Sequence, residues 1–182
     1  QIDISDLISG HYALDVTLYG GDKVAREKST VFFSRLNPDA DETWMENSKL
    51  NLETSFVHHI WEDSLRYYLK ALMPVISSME VDIMNNLVRK GSEKAKRYFL
   101  HRYWTNRAGT HAEEACNAYM KVARLVDNKY RSGFGYGFET DRGHVFLKYG
   151  RPNDIIEVED EPSAPPYEIW FYNQFPPTNQ AN

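Results

Sequence analysis

The residues best suited to chemistry stand together in Gly137-Phe138-Glu139-Thr140-Asp141-Arg142-Gly143-His144. Asp141 and His144 are candidates for proton transfer, because a carboxylate or imidazole beside a reacting group serves as acid or base. Arg142 offers the planar fork that grips a carboxylate. Asp and Thr also fix tight turns through their own side chains. Spacing ties no second carboxylate and no nucleophile to Asp141. The expectation is a structural clasp made of Thr140, Asp141 and Arg142, with Arg107 as the cation for Asp141. No residue is assigned a catalytic role.

A second cluster joins charge to aromatic rings: Arg102, Tyr103, Trp104 and Arg107. Such a set can bind an anion, a sugar or single-stranded nucleic acid. It can equally pack Tyr103 and Trp104 while Arg107 pairs with a half-buried carboxylate. Tyr103, Trp104, Tyr167 and Trp170 are the candidate binding residues. His58, His59 and Glu62 lack the His-to-His spacing and the adjacent Glu of a zinc helix. His101, His111 and His144 are scattered, so neither metal nor cofactor is expected. Gly133, Gly135 and Gly137 read as the approach to a strand, whereas phosphate loops open a helix. Cys116, the only cysteine, reads as a small packed residue.

The chain of 182 residues carries a net charge of -5, which argues against a nucleic-acid binder. Basic residues crowd 89 to 107 and acidic ones 154 to 161, as two solvated faces or as complements to each other or to a partner. There is no apolar run of the roughly 18 residues that a transmembrane helix needs. No signal peptide is present, and the first residues already read as the interior of a domain. That reading places earlier strands, and any membrane proximity, upstream.

The elements that must position these residues follow from periodicity. Tyr12, Leu14, Val16 and Leu18 alternate with polar residues, and Ala25 to Phe33 alternates likewise beyond a Gly20-Gly21-Asp22 turn. Residues 1 to 36 therefore read as the last hairpin of a truncated β-sandwich of immunoglobulin type. Residues 37 to 55 read as a polar linker, anchored by Trp44 and Met45. From residue 56 the period becomes helical. Leu65, Tyr68, Leu69 and Leu72 form a stripe ended by Pro74. Ser77 with Glu80 opens a helix lined by Met79, Ile83 and Leu87, and Gly91 ends it. Ser92 caps a third helix, with Ala95, Tyr98, Phe99 and Tyr103 inward. Thr110 with Glu113 opens a fourth, lined by Ala115, Tyr119, Val122, Val126 and Tyr130. His144 to Tyr149, Ile155 to Val158 and Tyr167 to Tyr172 read as strands, and 176 to 182 as a frayed tail. The expected fold is α+β, with about four helices packed on a small antiparallel sheet and a partial sandwich hairpin in front.

Several ordered motifs in residues 60 to 175 resemble a bacterial domain family named for Gly-Trp-x-Thr-Asp. Here the motif stands as Gly137-Phe138-Glu139-Thr140-Asp141, with Phe138 in place of Trp. Tyr149-Gly150-Arg151-Pro152 and Tyr167-Glu168-Ile169-Trp170-Phe171-Tyr172 match the family's later turn and strand. Tyr103-Trp104-Thr105-Asn106-Arg107 and Gly109-Thr110 match its upstream stretch. The resemblance implies an exported envelope protein of bacteria, periplasmic or associated with the outer membrane, often with a β-sandwich ahead of this domain. It implies no reaction. The expected function is a non-catalytic module contacting other envelope proteins or a surface. The alternatives are an enzyme on an envelope glycan or peptide with Asp141 as acid or base, and a glycan-binding module.

Overall fold

The computed structural model describes residues 2–35, 37–47 and 52–174. The side chains of Met45 and Met79, and the tail at 176–182, lie outside the described residues. The fold is α+β and divides into two compact units, Gln1–Glu113 and Glu114–Asn182.

The first unit opens with strands β1 (Gly10–Tyr19) and β2 (Ala25–Arg35), paired antiparallel. Tyr12 lies opposite Phe33, Leu14 opposite Val31 and Val16 opposite Ser29, so the alternating apolar residues share one face. The turn between them places Lys23 at φ 61°. Residues 37–47 depart from expectation. Where a linker was read, Pro38–Asn47 forms helix α1. Its stabilising contacts are distant in sequence and therefore invisible to periodicity. Ser9 N–H donates to the Asp41 carboxylate at 2.6 Å, and the Asn37 amide donates to the carbonyls of Ser5 and Leu7. Trp44 does serve as an anchor, its ring 5.4 Å from that of Tyr98.

Helices α2 (Glu62–Leu72), α3 (Val81–Lys90) and α4 (Glu93–Ala108) pack on one another around Leu65, Leu69, Leu72, Met84 and Leu100. Each such burial stabilises by roughly 1.5–3 kcal/mol. The caps expected at Ser77 and Ser92 are present. Glu80 accepts from the backbone and hydroxyl of Ser77, and Ser92 accepts from Ala95 N–H at 3.2 Å. The α4 arginines tie the unit together. Arg97 donates to the carbonyls of Val57 and His58, and Arg102 to that of Ser9.

In the second unit, α5 (Ala112–Tyr130) turns Cys116, Met120, Ala123 and Val126 inward. Val122, expected inside, is exposed. The largest departure follows. His144 to Tyr149 was read as a strand, but Asp141–Tyr149 is helix α6. Strands β3 (Asp154–Val158) and β4 (Tyr167–Phe171) then pair antiparallel, as expected. The described residues thus hold two separate two-stranded sheets. No helix among the described residues is long and apolar enough to cross a membrane.

His101 gives the first unit a pH dependence. Its ring stacks on Phe56 at 6.0 Å, and burial lowers its pKa from 6.5. The unfolded chain therefore binds this proton more readily than the folded one, so stability is full above the ordinary value and falls as pH drops through it. Thermal melts of His101→Gln between pH 7.5 and pH 5 should lose fewer degrees than wild type over that interval. An equal loss would remove His101 from the acid response.

Candidate functional site

A clasp is built around Thr140, but it opens a helix instead of a strand, and Arg107, expected as the cation for Asp141, lies in the first unit over the Tyr103 ring. The clasp begins one element earlier, at a residue that sequence reasoning passed over. Asp127 of α5 is buried, 3 % exposed. Its carboxylate accepts Gly137 N–H at 2.6 Å and pairs with Arg131 one helical turn on, also at 2.6 Å. The available signal was an acid within the apolar stripe of Cys116, Met120 and Ala123, followed by Arg at i+4.

Gly137 answers to that contact. A Cβ there would fall on the carbonyl of Asp127. Gly143, in the first turn of α6, is packed as closely on the carbonyl of Gly137. Between them, Gly137–Glu139 forms one 3-10 turn. Glu139 folds back to accept Tyr136 N–H at 2.9 Å. Thr140 then uses its hydroxyl twice. It donates to the Gly137 carbonyl at 2.6 Å and accepts Gly143 N–H at 3.2 Å, which makes it the N-cap of α6. Phe138 is buried, 1 % exposed, with its ring 5.1 Å from Tyr136. A Trp at this position would bring an N–H needing a buried acceptor. Phe supplies the apolar body alone.

Asp141 stands exposed in the first turn of α6, where its charge complements the helix dipole. His144 lies one turn along, three residues from Asp141. Burial lowers the His144 pKa, Lys148 adds to this, and Asp141 opposes it. Arg142 points elsewhere and pairs with Glu168 of β4 at 3.0 Å. Glu168 also accepts the Trp170 indole N–H at 2.7 Å. The Trp170 ring packs 6.1 Å from Tyr130, which lies 6.2 Å from Phe146. Tyr172 donates to the Gly150 carbonyl and packs on Tyr149, and Pro152 is buried beneath the turn. The three motifs of the second unit are thus bonded to one another.

The upstream cluster belongs to the first unit. Tyr103 and Trp104 are core residues, 5 % and 7 % exposed, so they offer no ring face for a ligand to stack on. Burial pushes the Tyr103 hydroxyl up to about 12, with Arg107 opposing, so it stays protonated at neutral pH. Arg107 lies over that ring, 3.6 Å from its centroid. Tyr167 is exposed, and its hydroxyl donates to Glu161 at 2.6 Å. Among the described residues, no group of His, Cys, Asp and Glu is placed to hold a metal ion.

A family described as GWxTD domain matches residues 66–181. No curated protein and no solved structure matches the chain.

The glycine contacts predict a steep hierarchy. Gly143→Ala must push the Gly137 carbonyl aside and should cost about 2–3 kcal/mol in denaturant unfolding, as overpacking does. Thr140→Val loses both hydroxyl bonds and should cost about 1–2 kcal/mol, with Thr140→Ser restoring most of it. Unfolding midpoints that leave Gly143→Ala at wild-type stability would refute the packing assignment.

Proposed function

The chain belongs to the GWxTD domain family, and we propose that it is a non-catalytic module of an exported bacterial cell-envelope protein, holding other envelope proteins by surface contact. The observation that carries this reading is where the family motifs direct their side chains. Gly137, Thr140, Gly143, Arg142, Glu168, Trp170 and Tyr172 all bond or pack within their own unit. Residues so engaged define a scaffold. The export assignment rests on the sequence resemblance. The contact surface of the first unit is the β1–β2 ladder, whose apolar face leaves Val16, Leu18 and Val31 more than half exposed. A two-stranded sheet is marginal alone, and further strands or a partner would cover that face.

A second reading draws on one observation. Asp141 and His144 share a turn of α6, exposed and with the His pKa lowered. That pair suits an acid or base acting on an envelope glycan or peptide.

One comparison separates the two. Val16→Ser with Leu18→Ser should reduce co-purification of cross-linked envelope proteins about tenfold while the melting temperature holds within a few degrees. Asp141→Asn should change neither partner recovery nor stability beyond about 1 kcal/mol. Turnover of an envelope glycan or peptide by the purified chain, lost in Asp141→Asn at unchanged melting temperature, would install the enzyme instead.

A further inference from the structure

The second unit carries two apolar faces of opposite charge on opposite sides. One is the outer face of the β3–β4 hairpin. Ile156 lies opposite Ile169 and Val158 opposite Tyr167 in the ladder, and Ile156, Ile169, Tyr167 and Phe171 are each about 40 % exposed or more. From residue 154 to residue 171 every charged residue is acidic. Asp154 shares the outer face, opposite Phe171, and Glu159 and Asp160 rim it. Arg151 is the nearest base along the chain.

The other face is on α5. Val122 and Leu125 are 42 % and 62 % exposed, and Phe134, just past the helix, is 90 % exposed. Lys121 and Lys129 stand one turn before and after Leu125, the Lys129 ammonium 5.1 Å from the Tyr130 ring centroid, and Arg124 adds to the charge. The acid in this stretch, Asp127, is buried and paired with Arg131.

Packing within the unit sets the two faces apart. Trp170 turns the inner side of the hairpin toward Tyr130 of α5. Leu125 precedes Tyr130 by five residues, a rotation of about 140° around the helix, so its stripe looks away from the hairpin. The sizes match as well. Two strands span about 10 Å across and five residues about 17 Å along, which is the footprint of a single helix about 10 Å wide.

We infer that the occupant of the hairpin face is the α5 face of a second copy of this chain. Ile156, Ile169 and Phe171 receive Val122 and Leu125, while Asp154, Glu159 and Asp160 meet Lys121 and Lys129. The contact joins unlike surfaces, so it is heterologous, and each copy added leaves both faces open at the ends of the assembly. The interface is small, which sets it among weak, transient contacts. Charge at its rim makes it salt-sensitive. The inference goes beyond the contact role proposed for β1–β2, and its readout needs only purified chain, so either can fail without the other.

The test is sedimentation velocity of the full chain from about 10 µM to about 1 mM, a range covering weak affinities. Wild type should grow in mass with concentration and dissociate in high salt. Lys121→Glu with Lys129→Glu should stay monomeric, as should Glu159→Lys with Asp160→Lys. Each pair reverses the charge of one face and leaves the other intact, and the two reversed faces complement each other, so a mixture of the two variants should regain the growth in mass that each has lost alone. Leu125→Ser replaces the lysine pair should that pair lower the melting temperature. A monomeric wild type, or a mixture that stays monomeric, would overturn the inference. A monomeric wild type that binds phosphatidylserine vesicles through Lys121 and Lys129 would also overturn it, by giving the α5 face to lipid.

Discussion

At the centre of the second unit three backbone segments lie in van der Waals contact without an intervening side chain. The Asp127 peptide of α5 lies on Gly137, and the Gly137 peptide on Gly143 of α6. Close approach excludes water from polar groups, and an unpaired buried N–H or carbonyl is costly. Three polar groups of the stack have side-chain partners. The Asp127 carboxylate takes the Gly137 N–H, and the Thr140 hydroxyl takes both the Gly137 carbonyl and the Gly143 N–H. The buried charge of Asp127 is balanced by Arg131. Glycine at 137 and 143, a hydroxyl at 140 and a carboxylate at 127 are one requirement seen from four positions.

The rest of that unit hangs from this stack. The capped α6 sets the bearing of Arg142, which meets Glu168, and Glu168 in turn fixes the Trp170 indole. Trp170 packs on Tyr130, at the end of the helix where the stack begins. The first unit uses a similar device with different parts. Arg97, Arg102 and Arg107 of α4 are each committed, two to carbonyls of distant segments and one to the face of Tyr103. Three arginines of that basic run are thus ties within the unit.

How much of this was legible follows from where the determining contacts lie in sequence. Helices α2 to α5 announced themselves through local signals, namely the Leu65–Leu69–Leu72 stripe and the caps at Ser77 and Ser92. The two hairpins did so through alternation. Helix α6 was misread because His144-Val145-Phe146-Leu147 has the aromatic and β-branched content of a strand. What makes it helical is the Thr140 cap and the Gly143 contact with another segment. Helix α1 was missed because its apolar pattern is weak and its fastening, Asp41 to Ser9, spans the β1–β2 hairpin. Thr140 and Arg142 drew attention by type, and the structure engages both in bonds within their unit. The partners, Asp127 for Gly137 and Glu168 for Arg142, needed the fold.

The same contacts differ in how far the chain must close to make them. The Asp127–Gly137 bond joins residues ten apart, and the Arg142–Glu168 pair joins residues twenty-six apart (168 − 142). Loop-closure entropy favours the shorter by about 0.9 kcal/mol. The order of assembly that follows runs from α5 through the glycine stack to α6, with the β3–β4 hairpin docking last. The apolar hairpin is then the segment that stays unsecured longest during folding, when exposed strand edges are most prone to mispair. Its dense acidity, from Asp154 to Glu168, supplies charge repulsion during that interval.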